Sequence, residues 1–525
     1  MKIAKWLPMV LVGMTVGCGY PDKSNERNMQ VETSDEYSYQ MPSEEPAAML
    51  EESGDKFEKF DDNPFVDVAK QPTSTFSVDA DGASYAIMRR YVSEGMDIPS
   101  ESVRIEEFLN YFTFDYPSPT GGNTVAINAE VGECPWNTEH KLLRLGIKGK
   151  ELNADEVPQA NFVFLVDVSG SMYSNDKLEL LKSGLVGLLD KLNPNDRISL
   201  VTYSGSVEKL LESTPVSEKE KIKKAIMQLS ADGSTAGGEA LKMAYEEALA
   251  NYNPKYNNRV IMGTDGDFNV GVTDDAALVE MVEQYASKGV YMTCLGFGTG
   301  NLNDSMMEKI SNAGNGTYYY IDCEKEMMKV FVDERERFVC VANDAKCQVS
   351  FDKKMVKQYR LIGYENRMLN NEDFNDDKKD AGEIGAGQTI TALYEIVPTE
   401  ELEQVLKKAS GAKHVIATFD FRYKKSLNSS SIPLKVDVAV EDMMSNGKIK
   451  SLSENMSFAA GVAAFGMVLR SSEHRGNASL EMAAELVHRG LQYDPHHYRE
   501  GFLNIIKQLM RNGTKRTNQS ELRQE

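Results

Sequence analysis

Phe162-Val163-Phe164-Leu165-Val166-Asp167-Val168-Ser169-Gly170-Ser171 decides how this chain reads. The apolar run Phe162 to Val166 has the length and continuity of a strand buried on both faces. It ends on a carboxylate and then presents two hydroxyls at alternate positions. Asp167, Ser169 and Ser171 are hard oxygen donors on a turn, a set suited to a small divalent cation such as Mg²⁺. Alone, Asp-x-Ser-x-Ser is a polar turn of a kind many strands end on. Two later pieces give it meaning: Gly233-Ser234-Thr235, and Thr264-Asp265-Gly266 just past the apolar run Val260 to Met262.

Outward from that stretch, strand and helix patterns alternate. Ile198 to Tyr203, Val260 to Met262 and Val290 to Phe297 read as buried strands, and residues 176–192, 218–229, 238–250 and 275–287 have helical periodicity. Such alternation predicts an α/β unit: a doubly wound, mainly parallel, Rossmann-like sheet with helices on both faces. Ligands of such sheets bind beyond the carboxyl ends of the strands, where Asp167 and Asp265 both fall. The three motifs together resemble the metal-ion-dependent adhesion site (MIDAS) of a von Willebrand factor type A (VWA) domain, expected here over residues 159–337. The resemblance implies that Ser169 and Ser171 bind the ion through their hydroxyls. Thr235 supplies a third hydroxyl, directly or through water, Asp167 acts through water or directly, and Asp265 acts mostly through water. Neutral hydroxyls leave the ion electron-poor, so an acidic residue of an unidentified protein partner can complete its shell. Mg²⁺ is the expected cofactor, with Mn²⁺ or Ca²⁺ sharing its oxygen chemistry. Ser234 reads as a loop neighbour, and Asp267 and Asn269 as loop-shaping or capping residues.

The flanks have a different period. Val125, Ile127, Ala129 and Val131 alternate, as do Leu143, Leu145 and Ile147. After about residue 338 the alternation returns at Cys347–Phe351, Ile390–Ile396, Val415–Phe421 and Ile432–Val440. These are half-buried antiparallel strands, and their matching period on both sides predicts one sandwich with the α/β unit inserted into it. Helical patterns precede the first strands, at 83–95 and 102–112, and helices are expected to end the chain over 451–510, before a polar tail at 511–525. Thr75-Phe76-Ser77-Val78-Asp79, Val103-Arg104-Ile105-Glu106-Glu107-Phe108-Leu109-Asn110-Tyr111-Phe112, Tyr359-Arg360-Leu361-Ile362-Gly363-Tyr364-Glu365-Asn366-Arg367 and Asp380-Ala381-Gly382-Glu383-Ile384-Gly385-Ala386-Gly387 resemble segments of a bacterial family. Its members carry a central VWA domain between a dedicated N-terminal region, here 73–158, and a C-terminal domain of unknown function, here 338–450. That resemblance implies a non-enzymatic, envelope-associated binding protein.

The chain opens with Lys2 and Lys5 before the apolar stretch Trp6 to Val16, too short to span a bilayer but long enough for a signal-peptide core. Thr15-Val16-Gly17-Cys18 resembles a bacterial lipobox, although Thr15 stands where leucine is usual. Residues 1–18 are therefore expected to be a lipoprotein signal peptide, with Cys18 lipidated and the protein held at the cell envelope, the outer membrane being the expected site. Residues 19–72 hold 14 acidic against 5 basic residues and read as a disordered tether. The whole chain of 525 residues carries 58 basic and 80 acidic residues, a net charge of −22, which argues against nucleic acid as a partner. No Cys-x-x-Cys pair occurs, so a zinc or thioredoxin-type site is not expected.

Enzyme signatures are missing. The histidines form no His-Glu-x-x-His, and His496-His497 reads as solvated. There is no Gly-x-Ser-x-Gly elbow and no Walker loop. Gly296-Phe297-Gly298-Thr299-Gly300 follows a late strand without a lysine and reads as a loop. Asp79-Ala80-Asp81-Gly82 lacks the glutamate of an EF-hand and reads as a turn with an Asp cap. The enzyme alternative is a Mg²⁺-dependent phosphohydrolase with Asp167 as nucleophile. It wants a Lys or Arg clamp on phosphate, and none is evident near the motifs. The alternative among binding proteins is an envelope scaffold with a structural metal.

Overall fold

The structure is a computed structural model and describes residues 54–233, 237–266, 275–379, 381–408, 414–445 and 448–522. The N-terminal elements are β1 (Val66–Asp67), β2 (Thr73–Ser77), α1 (Ala83–Glu94), α2 (Ile105–Asn110), β3 (Val125–Glu133) and β4 (Lys141–Gly149). A tether extending to residue 72 does not match the described part of that segment. Residues 54–72 pack on the body: β1 pairs with a later strand, Phe57 packs against the α/β core, and the Asp55 side chain is fully buried in an ion pair with Arg90. The acidic composition of 19–72 hid this, because Asp55, Glu58 and Asp62 each have a partner on the body.

The α/β unit runs β5 (Ala160–Asp167), α3 (Leu178–Leu189), β6 (Arg197–Tyr203), β7 (Val207–Pro215), α4 (Lys219–Gln228), α5 (Gly237–Ala250), β8 (Asn257–Thr264), α6 (Asp275–Ala286), β9 (Tyr291–Phe297), α7 (Asp304–Ala313), β10 (Thr317–Ile321) and α8 (Glu324–Met328). The sheet order is β10-β9-β8-β5-β6-β7, parallel except for β7. Two strands join the four read from sequence. β7 is an edge strand with several exposed charges, which spoils its alternation, and β10 is only five residues long. Apolar side chains cover both faces of the sheet, as the doubly wound pattern requires. Leu181, Leu185, Ile222 and Phe331 lie on one face, and Leu241, Tyr245, Val282 and Met307 on the other. The second face also takes Ala83, Ala86, Ile87 and Tyr91 of α1, so a helix from the N-terminal region belongs to the α/β core.

The later strands are β11 (Cys340–Phe351), β12 (Val356–Ile362), β13 (Met368–Leu369), β14 (Ile384–Gly385), β15 (Thr389–Pro398), β16 (Val415–Lys424) and β17 (Ile432–Ala439), with α9 (Glu400–Lys408) between β15 and β16. Two sheets form, β1-β12-β15-β4-β3 and β13-β2-β11-β16-β17, and each takes strands from both sides of the α/β unit. Ile147 faces Ile390 across β4 and β15, and Phe76 faces Cys347 across β2 and β11. A shared core of Leu145, Tyr394, Val349, Phe419 and Phe421 fills the space between them, so the flanks do form one sandwich. The regions 73–158 and 338–450 are therefore interleaved rather than separate. A helical cap of α2 with α10 (Glu454–Leu469), α11 (Leu480–Arg489) and α12 (Tyr498–Leu522) packs Phe108, Phe112, Trp136, Phe458 and Phe502 together. The polar tail expected from 511 continues helical to Leu522.

Buried ion pairs join sandwich, cap and α/β unit. Arg104 bonds Glu107 and, at 2.6 Å, Asp304, while Arg367 reaches Asp79 at 3.1 Å and Asp81 at 3.3 Å. The Asp79–Gly82 turn is thus part of a buried interface, and Gly82, not an aspartate, is the N-cap of α1. Cys134, Cys294, Cys323, Cys340 and Cys347 are free thiols, and among the described residues no helix is long and apolar enough to cross a membrane.

Candidate metal centre

β5 lies between β6 and β8 and is buried along its length, so its last residue, Asp167, opens into the crevice where strand order turns. Its carboxylate is fully buried. Oδ1 accepts the backbone N–H of Ser169 at 2.9 Å, an Asx-type turn that reverses the chain. Oδ2 accepts the Thr264 hydroxyl at 2.9 Å, tying the ends of β5 and β8. The turn puts the Ser169 and Ser171 hydroxyl oxygens 3.0 Å apart, the first buried and the second exposed. The Gly170 N–H donates to the Gly233 carbonyl at 3.1 Å and so draws the 231–233 segment alongside.

Asp265 follows β8 directly and is fully buried. Ser171 and Asn301 side chains bond to it, and the Lys177 ammonium donates to its Oδ2 at 3.0 Å. Gly266 turns the chain away with a φ of +94°, and a Cβ there would stand 2.5 Å from the Asn303 nitrogen. Only glycine meets both demands. The two carboxyls differ. Burial pushes Asp167 above its ordinary range, helped by the charge of Asp265 and opposed by the Ser169 bonds. Burial also acts to raise Asp265, but the Lys177 charge and the bonds from Ser171, Lys177 and Asn301 prevail and hold it below its ordinary range.

The structure thus brings together Asp167, Ser169, Ser171 and Asp265. Thr235, with Ser234, Asp267 and Asn269, lies outside the described residues, as does Cys18. Sequence reading gave no role to Thr264, Tyr203, Lys177 or Asn301. Thr264 could have been noticed as a hydroxyl ending a buried strand beside Asp265. Tyr203 ends β6, buried next to Asp167. Lys177 and Asn301 arrive by folding alone, and no spacing announces them. No Lys or Arg clamp for phosphate is evident in the sequence near the motifs; Lys177 does stand beside them, and it is bonded to Asp265.

The donor set fits a hard divalent cation. Its atoms are carboxylate and hydroxyl oxygens, and two buried carboxylates face one ammonium, leaving negative charge that a cation relieves. Among the described residues no group of three or more His, Cys, Asp or Glu side chains is placed to hold a metal, so any ion here depends on the serine hydroxyls. Asp167, Ser169, Ser171 and Asp265 are the residues that could hold it.

The family model for von Willebrand factor type A domains matches residues 161–333, a von Willebrand factor model matches 51–144, and a model for the C-terminal part of the uncharacterized protein YfbK matches 336–511. The chain is 38% identical over 464 residues to the uncharacterized protein YfbK of Escherichia coli strain K12, covering 86% of this chain and 80% of that one. It is 29% identical over 206 residues to inter alpha-trypsin inhibitor heavy chain 4 of Mus musculus, covering 37% of this chain and 21% of that one. Among solved structures, a von Willebrand factor type A protein from Catenulispora acidiphila aligns over 71% of this chain and 88% of its own, at 16% identity and a TM-score of 0.41.

Proposed function

This chain belongs to the family of the bacterial VWA protein YfbK, and from that premise we propose that it binds a protein partner through a divalent cation at the Asp167 centre. The observation that carries this reading is the convergence of Asp167, Ser169, Ser171 and Asp265 at the carboxyl ends of two adjacent parallel strands. A cation bound there would supply an electrophilic position for a carboxylate of the partner. Tyr173 supports a binding face. It follows the serine turn and is 82% exposed, a bare aromatic of the type enriched at protein contacts. We propose Mg²⁺ as the ion, with Mn²⁺ in the same role, because both share the oxygen chemistry of these donors. The reading is one of binding rather than catalysis. Lys177 is committed to Asp265 and is not presented as a clamp for phosphate.

The same proposal places the protein at the bacterial envelope, anchored in the outer membrane by lipid on Cys18, with the body on an acidic tether. The test is capture in living cells by cross-linking, with and without chelator, for the wild-type chain and Asp167→Ala. Partners lost on chelation and in the variant support adhesion through the metal. A variant that retains every partner refutes it and leaves the scaffold role.

A further inference from the structure

The loop between β9 and α7, residues 298–303, touches the metal centre at three points. Asn301 bonds to Asp265, Leu302 and Asn303 pack against Gly266, and Gly298 receives the Lys177 stem. Gly298 has a φ of +69°, and a Cβ there would lie 2.0 Å from Lys177 Cε. The loop therefore sets both the lysine and the asparagine that hold Asp265.

Within the described residues, much of what grips this loop comes from outside the α/β unit. Asp55 Oδ1 accepts the backbone N–H groups of Gly300 at 2.8 Å and Leu302 at 3.1 Å. Its Oδ2 accepts from Arg90 at 2.6 Å and from the Tyr91 hydroxyl at 3.0 Å. Arg90 in turn donates to the Gly298 carbonyl at 2.8 Å, which also accepts the Tyr320 hydroxyl at 2.6 Å. The Lys56 N–H donates to the Leu302 carbonyl at 2.8 Å, and Gly54 sits so close that a Cβ would meet the Gly300 carbonyl oxygen at 2.2 Å. One carboxylate thus holds two loop amides and the arginine that holds a third loop residue.

We infer that Asp55 is a positioning residue for the metal centre: the strap of residues 54–58 holds loop 298–303 in the conformation that sets Asn301 on Asp265 and packs Leu302 and Asn303 against Gly266. This inference rests on the metal reading above. It gives the N-terminal region a role that neither its composition nor its family resemblance assigns.

The test uses the full chain with Asp55→Ala, and Glu58→Ala as control, since Glu58 lies on the same strap but pairs with the half-exposed Lys309. Two readouts are needed: Mn²⁺ affinity by calorimetry, and backbone hydrogen exchange in metal-free protein. Outer residues that orient ligands typically shift metal affinity by about tenfold or more. Asp55→Ala is expected to weaken Mn²⁺ binding about tenfold and to speed exchange at Gly300, Leu302 and Gly266, while Glu58→Ala matches wild type. Faster exchange at Gly300 and Leu302 with Gly266 and Mn²⁺ affinity unchanged overturns the inference. If Asp55→Ala does not fold, Asp55→Glu, which keeps the charge but lengthens the arm, carries the same readouts. A wild-type chain that takes up no Mn²⁺ sinks the metal reading itself. The reach of faster exchange to Gly266 then still decides whether Asp55 positions the site.

Discussion

Replacing Lys177 with methionine keeps the length of the side chain and removes the ammonium from Asp265. The two groups are 3.0 Å apart, with the carboxylate fully buried and the lysine 11% exposed. At an effective dielectric of about 20 their attraction is roughly 5 kcal/mol. Breaking a buried pair by removing one partner typically costs about 3–5 kcal/mol, because the remaining charge stays desolvated. Protonation gives an escape. Taking up a proton at pH 7 on a carboxyl of ordinary pKa near 3.9 costs about 4 kcal/mol, at about 1.4 kcal/mol per unit, which caps the loss. The bonds from Ser171 and Asn301 soften it further. The expected loss of stability in metal-free protein is therefore about 3 kcal/mol, read by urea denaturation with chelator present.

The same substitution makes the site more negative, so a bound cation should restore more stability to the variant than to the wild type. At a hundredfold excess over Kd, binding contributes about 2.7 kcal/mol to any chain, and the variant gains more at equal Mn²⁺ because its Kd is lower. The pH dependence has a definite sign. Asp265 has its folded pKa held below the ordinary value. Its contribution is present above the unfolded pKa and is lost as pH falls through the folded one. The gap between wild type and variant is thus widest at neutral pH and closes below about pH 4. Equal metal-free stability of the two proteins at pH 7 refutes this reasoning, and so does a gap that Mn²⁺ leaves unchanged.

Asp167→Ala is expected to abolish Mn²⁺ uptake in calorimetry while leaving the far-UV circular dichroism spectrum intact. Arg104→Ala leaves Glu107 and Asp304 buried without their cation and is expected to cost about 3–5 kcal/mol in urea denaturation, with Arg104→Ala, Asp304→Ala together costing less than the sum. Burial, with the charges of Glu365 and Asp79 nearby, pushes Glu106 up to about 8. A carboxyl raised in the folded state stabilises below its unfolded pKa and loses that contribution as pH rises through the folded value. Wild-type stability is therefore expected to decline from about pH 5 to pH 8, and Glu106→Gln to flatten that decline in denaturation curves taken across the range.

The α/β unit was legible because its buried strands are continuous apolar runs and its helices are amphipathic, both local signals. The sandwich was legible only as two matching halves. Period-two alternation says that Leu145 and Ile390 face a core, but not that their strands lie side by side with the α/β unit inserted between them in sequence. At the metal centre the four ligand candidates among the described residues lie on short motifs just past strands, where sequence order and spatial order coincide. Lys177, Asn301 and Tyr203 reach the centre from three separate loops or strand ends, and nothing in their neighbours marks them. The strap's place on the body was not legible in the sequence, for a physical reason. Composition registers that Asp55 and Asp62 are charged, and it is silent on whether Arg90 and Arg470 wait to pair with them.

Helix α1 joins the parts of the protein. α1 has one face in the α/β core, through Ala83, Ala86, Ile87 and Tyr91, and another in the helical cap, through Tyr85, Met88 and Val92. Arg89 on the same helix bonds Asp322 and Glu326, just after β10. With Arg104 on Asp304 and Arg367 on Glu308, flanking residues hold the α7, β10 and α8 side of the α/β unit through buried charges as well as apolar contact. Buried ion pairs add little net stability but tolerate few alternative geometries. Such a junction suits an orientation that must be fixed more than a body that must be stable. Loop 298–303 lies on that same side, between β9 and α7, so the elements the frame fixes are the ones that support Asp265. The frame and the metal centre are therefore one mechanical unit, and an isolated segment 159–337 would lack α1, Arg90 and Asp55 together. Such a fragment is expected to expose the apolar face that α1 covers and to bind Mn²⁺ more weakly than the full chain.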